Sequence, residues 1–376
     1  MMRQIAVLLT FDYEIFLGRN FAPANEVLFQ PTVELLALCA DLGVRTTFFA
    51  DVCSVWAHRR AGLDAYADAF EAQLVAARRA GHDVQLHLHP HWLAATYQRG
   101  EWRLAPERMY LSDLGFGDGP DAAPAVVRRG VDYLNALLSP VDPAYRCVAS
   151  RAAGMALGPR ECDTIATLLG AGIMLDTSVA KDLRFRMDTL SVDYRGVPSL
   201  ANWRMAPESG VNRAAARGLY EVPIATFRTG IGARAGFLVR RALSVGRMRG
   251  IGISRSARQT RLANLRTLAL GNLRYLARDP VFILSCDTKG FDAPMLLDGF
   301  ARYVDAHRDG ADIAVALLGH PKLMFARERD LLAAFVEGVR ARYGARLSFA
   351  TATEAVQRIT PEPGRIPRRA GARATT

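Results

Sequence analysis

Gly81-His82-Asp83-Val84-Gln85-Leu86-His87-Leu88-His89-Pro90-His91-Trp92 reads as a short strand that runs into a histidine cluster. Four of the chain's seven histidines fall in these twelve residues. The run Asp83–Leu88 carries His87 to its end, and His91 follows four residues later, beyond Pro90. Imidazole is a common ligand for zinc-like metals, and two imidazoles with one carboxylate form an open catalytic site. With an extended chain His87, His89 and His91 share a face. Pro90 interrupts that geometry, so His89 reads as a residue supporting the ligands or touching substrate, as does Trp92. The plain alternative is a polar loop that happens to hold histidines.

Working outward, strands alternate with helices. Ile5–Phe11 is an apolar run that stops at charge, Val44–Ala50 is β-branched and aromatic, and Ile313–Leu318 is a buried run before Gly319-His320-Pro321. Further strands are expected at Tyr145–Ser150, Ile173–Leu175, Leu219–Ile224, Val281–Ser285 and Leu347–Ala350. Helices are expected at Pro31–Leu42, Leu63–Arg79, Ala123–Leu138, Pro159–Leu169 and Arg327–Arg342, with Leu93–Pro120 irregular. Alternation of this kind points to an α/β fold with a parallel sheet or barrel, whose sites lie at the carboxyl ends of the strands. Those ends carry Asp12, Glu14, Asp51, His87, His91, Arg151, Asp176, Asp287 and His320. So many marked ends favour a barrel over an open sheet.

Half of the 376 residues are hydrophobic, enough for a sizeable core. The five cysteines are scattered and include no CxxC pair, which argues against a disulfide framework or a cysteine zinc site. The apolar run near the N-terminus is too short for a secretory signal, and no run reaches the roughly 20 apolar residues of a membrane span. A cytoplasmic or membrane-peripheral location is expected. The formal charge is +11. Val222–Arg278 holds twelve arginines and no acidic residue, so it more than accounts for that excess. It reads as a basic insertion at about 225–278 within a single domain over 1–360. The reading is a solvated helical excursion, or a surface (228–278) for anionic lipid or a phosphorylated substrate. No nucleic-acid motif accompanies the charge. Residues 361–376 read as a disordered basic tail.

Asp12 and Glu14 are two apart on a strand and face one cavity, while Tyr13 points the other way. One carboxylate can bind metal and the other act as general base. Arg151 follows a strand and can orient that base or stabilise negative charge. His320 is a candidate general acid. Asp176 can bond a catalytic histidine or cap a turn, and Asp51 can reach the cavity from the second strand.

In this order the motifs resemble the polysaccharide deacetylase family, the NodB-homology family 4 carbohydrate esterases. Thr10-Phe11-Asp12-Tyr13-Glu14 resembles its Thr-Phe-Asp-Asp-Gly strand end. Gly81-His82 with His87 and His91 resembles its His-x-x-x-His motif. Arg151-Ala152-Ala153-Gly154, Asp176 and Leu318-Gly319-His320-Pro321 follow in sequence. The likeness spans roughly Arg3 to Gln357. It implies a distorted (β/α)7 barrel of the glycoside hydrolase/deacetylase kind and metal-dependent removal of an acetyl group from a sugar. It also implies Asp12 as base, His320 as acid, Arg151 and Asp176 in the catalytic set, and a divalent metal, zinc above all, on His87, His91 and a carboxylate. Tyr13 replaces the family's second aspartate, which makes Glu14 the substitute ligand and marks a divergent branch. A metal-free amidohydrolase and a non-catalytic sugar- or membrane-binding relative are the alternatives.

Overall fold

A ring of parallel strands positions every candidate residue. The computed structural model describes residues 3–15, 23–186, 189–248, 279–308 and 312–359. In chain order its principal strands are β1 (Ile5–Tyr13), β2 (Thr47–Asp51), β3 (Asp83–Leu88), β4 (Ala149–Ala152), β5 (Leu175–Asp176), β6 (Leu219–Glu221), β7 (Ile313–Gly319) and β8 (Leu347–Phe349). The parallel order is β6-β5-β4-β3-β2-β1-β7, and β8 pairs with the start of β1. The chain just past β6 closes the ring on β7. Ile224 bridges Ala316 in parallel, and Ala225 N donates to the Ala316 carbonyl at 2.9 Å. The result is a distorted (β/α) barrel of seven strands.

All nine residues of β1 are buried, as expected for a strand covered on both faces. Their alternation sorts them. Ile5, Val7, Leu9, Phe11 and Tyr13 join the core between barrel and helices. Ala6 and Leu8 meet Phe49, Ala149, Leu175, Val222 and Ala316 in a separate apolar cluster inside the ring. Thr10 and Asp12 continue that inner row upward, so the polar site stands on an apolar floor. Burying such a row stabilises by about 1.5–3 kcal/mol for each large aliphatic or aromatic side chain.

The helical layer includes α1 (Gln30–Asp41), α2 (Val52–Arg60), α3 (Asp64–Arg79), α4 (Ala123–Leu138), α5 (Glu161–Gly170), α6 (Ile231–Met248), α7 (Ala293–Ala306), α8 (Ala326–Tyr343) and α9 (Ala352–Ile359). Pro at the first turn starts α1, α4 and α7 where its missing N–H costs nothing. Gly319 ends β7 because a Cβ there would stand 2.5 Å from the Phe11 ring. That close approach brings His320 over the barrel mouth.

Two expectations are refined. The stretch Leu93–Pro120 carries a hairpin (Thr96–Gln98 with Glu101–Arg103) and a short helical turn at Leu111–Leu114. The basic segment carries the short strand Thr226–Phe227 and then α6, held by Phe237 against Phe282 and by Arg240 on Asp292. The remainder of that segment, 249–278, and the tail 361–376 lie outside the described residues. Among the described residues no helix is long and apolar enough to cross a membrane.

Candidate active site

Register between neighbouring strands assembles the site. Asp51, His87 and Arg151 are successive partners across β2, β3 and β4. Ser150, Asp176 and Glu221 form the next row across β4, β5 and β6. Asp12 and Glu14, two residues apart at the end of β1, are both 5% exposed. Tyr13, between them, turns outward, where its hydroxyl donates to Gln73 Oε1 at 2.6 Å and its ring meets Phe70.

Glu14, His87 and His89 each bring a ligand atom within 4.8 Å of the others. Glu14 Oε2 lies 2.5 Å from His89 Nε2 and 3.3 Å from His87 Nε2, and the two Nε2 atoms are 2.8 Å apart. His87 Nδ1 donates to the Arg151 carbonyl at 2.7 Å, which turns its Nε2 toward this point. The backbone stays extended through His89, at φ −109° and ψ 91°, so His87 and His89 share a face. The helical turn Pro90–Trp92 then takes His91 elsewhere. His91 is buried beside Trp92, and neither of its ring nitrogens has a hydrogen-bond partner among the described residues. Burial pushes its imidazole down to about 3, so it is neutral. Trp92 is fully buried among His58, His91 and Trp102 and supports the turn. Asp51 Oδ1 accepts from the His89 backbone N–H at 3.3 Å.

The donors fit a divalent metal: two imidazole nitrogens and one carboxylate oxygen, buried and convergent. Burial lowers His87, but the Asp12 and Glu14 carboxylates outweigh it and raise the imidazole to about 9. With Nδ1–H committed to Arg151, the proton that a metal must displace sits on Nε2. Lys322 occupies the other side of Glu14, its Nζ 2.5 Å from Oε1. Burial raises Glu14, yet Lys322 and His89 hold the carboxyl well below its usual range.

Asp12 faces two cations. Its Oδ1 accepts from Arg151 Nη1 at 2.7 Å, and Oδ2 is 3.6 Å from His320 Nε2. Burial raises Asp12, but Arg151, His87 and His320 outweigh it, and the carboxyl lies below its ordinary value. Arg151 is fixed by Thr177 O at 2.9 Å, Thr10 Oγ1 at 2.6 Å and the face of Phe49 at 4.6 Å. His320 Nδ1 donates to Asp287 Oδ2 at 2.7 Å. Burial lowers His320, but Asp287 and then Asp12 raise it above its ordinary value. This leaves Nε2–H as a proton donor at the mouth.

Asp176 accepts from Ser150 Oγ and the Ser178 N–H, each at 2.9 Å, and pairs with Glu221. These described bonds cap a turn and reach no histidine. Sequence reading assigned no role to three contributors. Asp287 is only one of the marked strand ends, Lys322 follows the Gly319-His320-Pro321 motif without a role, and Glu221 lies in a short strand. The last had a signal, since a carboxylate in the middle of Leu219–Ile224 is out of place in an apolar strand.

No family model matches the chain, and a search of curated proteins finds no match. Three solved structures align over most of it. A protein of Mycobacterium smegmatis assigned as a polysaccharide deacetylase is 13% identical, at TM-score 0.45 over 95% of this chain and 90% of its own. The Puue allantoinase is 12% identical, at TM-score 0.43 over 94% and 90%. The 4-alpha-glucanotransferase of Thermococcus litoralis is 10% identical, at TM-score 0.45 over 96% of this chain and 41% of its own.

Proposed function

We propose that the chain is a hydrolase that removes an acetyl group, on nitrogen, from a carbohydrate or sugar-containing precursor, with a divalent metal of the zinc type. The observation that carries the reading is the pairing of Asp12 with His320 beside the Glu14–His87–His89 cluster. An ionised carboxylate and a protonated imidazole across one mouth are the two halves of acid–base hydrolysis. The order of the sequence motifs supports the sugar.

Glu14, His87 and His89 would hold the metal, which supplies polarisation of the acetyl carbonyl and acidification of water. Asp12, kept ionised and aimed by Arg151, takes the proton from the attacking water. Arg151 does not touch the reacting atoms; it positions Asp12 and keeps it charged. His320 delivers the Nε2 proton to the departing amine, which would otherwise leave as a poor anion. Asp287 orients that ring and holds the proton on it. Asp176, with Ser150 and Ser178, fixes the turn whose Thr177 carbonyl anchors Arg151. The arginine-rich stretch, 228–278, supports contact with a phosphorylated or membrane-borne substrate.

A second reading, metal-free amide hydrolysis on the same barrel, is favoured by Lys322, a built-in cation on the carboxylate that would bind metal. Metal content and acetate release from N-acetylated sugar oligomers, before and after chelation, separate the two. Acetate release that survives complete removal of metal supports the second. A protein that binds zinc yet releases no acetate from any such oligomer defeats the first.

A further inference from the structure

A cavity of about 500 Å³ opens between the chain after β5, the chain after β6 and the end of α7, and none of the candidate active-site residues lines it. Among the described residues its wall carries Lys181, Arg228, Arg302 and His307, against one carboxylate, Asp182. Lys181 is 8% exposed. The described partners of its ammonium are neutral: the Leu200 carbonyl and His307 Nε2, the latter at 3.0 Å. His307 Nδ1 donates to the Tyr303 carbonyl at 2.8 Å, so Nε2 is the acceptor for Lys181. The faces of Trp203 and Tyr303 lie 5.5 and 5.9 Å from the ammonium. On the rim Arg228 engages Asp279 and Asp182, and Arg302 engages Asp298 through Nε.

A buried cation is normally matched by a carboxylate, because desolvation of an unmatched charge is costly. Here the hydrogen-bond partners are dipoles, and ring faces lie beside them. The Asp182 and Glu221 carboxylates act on the charge without bonding it in the described structure, and the ammonium borders a space of ligand size. Two guanidiniums add planar donors of the kind that bind oxyanions in pairs. We propose that this cavity is a second ligand site, which takes a phosphate-class oxyanion with Lys181 at its base and Arg228 and Arg302 at its rim. Free phosphate and the phosphoryl group of a small polar metabolite share that chemistry. The site is separate from the proposed deacetylation and does not depend on it.

Calorimetric titration of the full chain with inorganic phosphate, glycerophosphate and glycerol tests the proposal. Both phosphates are expected to bind saturably and glycerol not at all. Tighter binding of glycerophosphate identifies an esterified ligand, and tighter binding of phosphate a free one. Lys181→Met, similar in volume, is expected to weaken binding about tenfold or more, equivalent to roughly 1.4 kcal/mol. Arg302→Gln, at an exposed position, is expected to weaken it about threefold, and acetate release is unchanged in both. Glycerol binding as well as glycerophosphate overturns the proposal, as does phosphate binding no better than chloride. Unchanged phosphate affinity in a folded Lys181→Met protein does the same. If that variant does not fold, unchanged affinity in Arg302→Gln decides against the site.

Discussion

The Nε2 atoms of His87 and His89 stand 2.8 Å apart, and Glu14 Oε2 lies within 3.3 Å of both. The histidine spaced four residues from His87 is therefore not the one beside it. His89→Ala is expected to weaken zinc affinity by more than about 100-fold, the upper end of what loss of a supporting residue costs. His91→Ala is expected to stay within about tenfold, since its ring lies outside the cluster. Competition titration against a zinc chelator measures both. A larger loss in His91→Ala would return the site to the spacing read from sequence.

Asp12→Asn keeps the shape of the proposed base and removes its charge. Acetate release should fall by about 10²- to 10⁴-fold, the usual contribution of a positioned acid or base, while the metal is retained. Near-wild-type turnover in this variant would remove Asp12 from the mechanism.

His320 must carry a proton to act as the proposed acid, so activity is expected to be lost as pH rises through its pKa. Asp287 is the largest of the influences raising that pKa. In Asp287→Asn the imidazole loses its proton at lower pH, and the alkaline limb of the kcat/KM profile moves down. A merely structural role for Asp287 would lower the rate and leave the limb in place.

Most of this architecture is legible in the chain. The apolar run of β1, the alternation that puts Asp12 and Glu14 inside and Tyr13 outside, and the placing of His87 and His320 at strand ends follow from local pattern. Three features depend on tertiary placement instead. Whether His89 or His91 faces Glu14 turns on where extension stops, and Pro90 permitted it to stop one residue later than the spacing implied. Lys322 reaches Glu14 from a sequence separation of 308, which no local pattern encodes. Asp287 follows a segment of which only Phe282–Ile283 is strand, so its place beside His320 is set by the Ser285–Leu318 bridge.

Burial holds the His58 and His82 imidazoles down at about 4, against 6.5 in the unfolded chain. Both are neutral in the native state, so unfolding takes up protons between those values. Stability present above about pH 6.5 is therefore lost as pH falls toward 4. His58 Nδ1 donates to the Ser54 carbonyl at 2.7 Å and its ring stacks on Tyr66. His58→Phe keeps the stacking and cannot titrate. Its Tm is expected to fall less steeply over this window than that of the wild type, whatever its value at neutral pH. Parallel curves would show that His58 does not contribute to the acid sensitivity.

Glu221 and Asp176 are both fully buried and paired in register, within reach of one hydrogen bond. Two carboxylates cannot bond each other without a shared proton. Asp176 accepts from Ser150 Oγ and Ser178 N–H, which suits the ionised member, so Glu221 is the one that keeps the proton. Burial, then the Asp176 charge, raises Glu221 well above its ordinary value. In the unfolded chain Glu221 ionises near 4.5, so folding must restore a proton at neutral pH. The stability present below that value is lost as pH rises toward the native pKa. Glu221→Gln supplies the same donor to Asp176 and the same acceptor to the Val179 N–H, now at 3.0 Å, with no proton to recover. The variant is expected to melt about 2–4 °C higher at pH 8, as about 1 kcal/mol gives in a domain somewhat smaller than this, and no higher at pH 4. A Tm that drops at both pH values would show that the pair is not proton-linked.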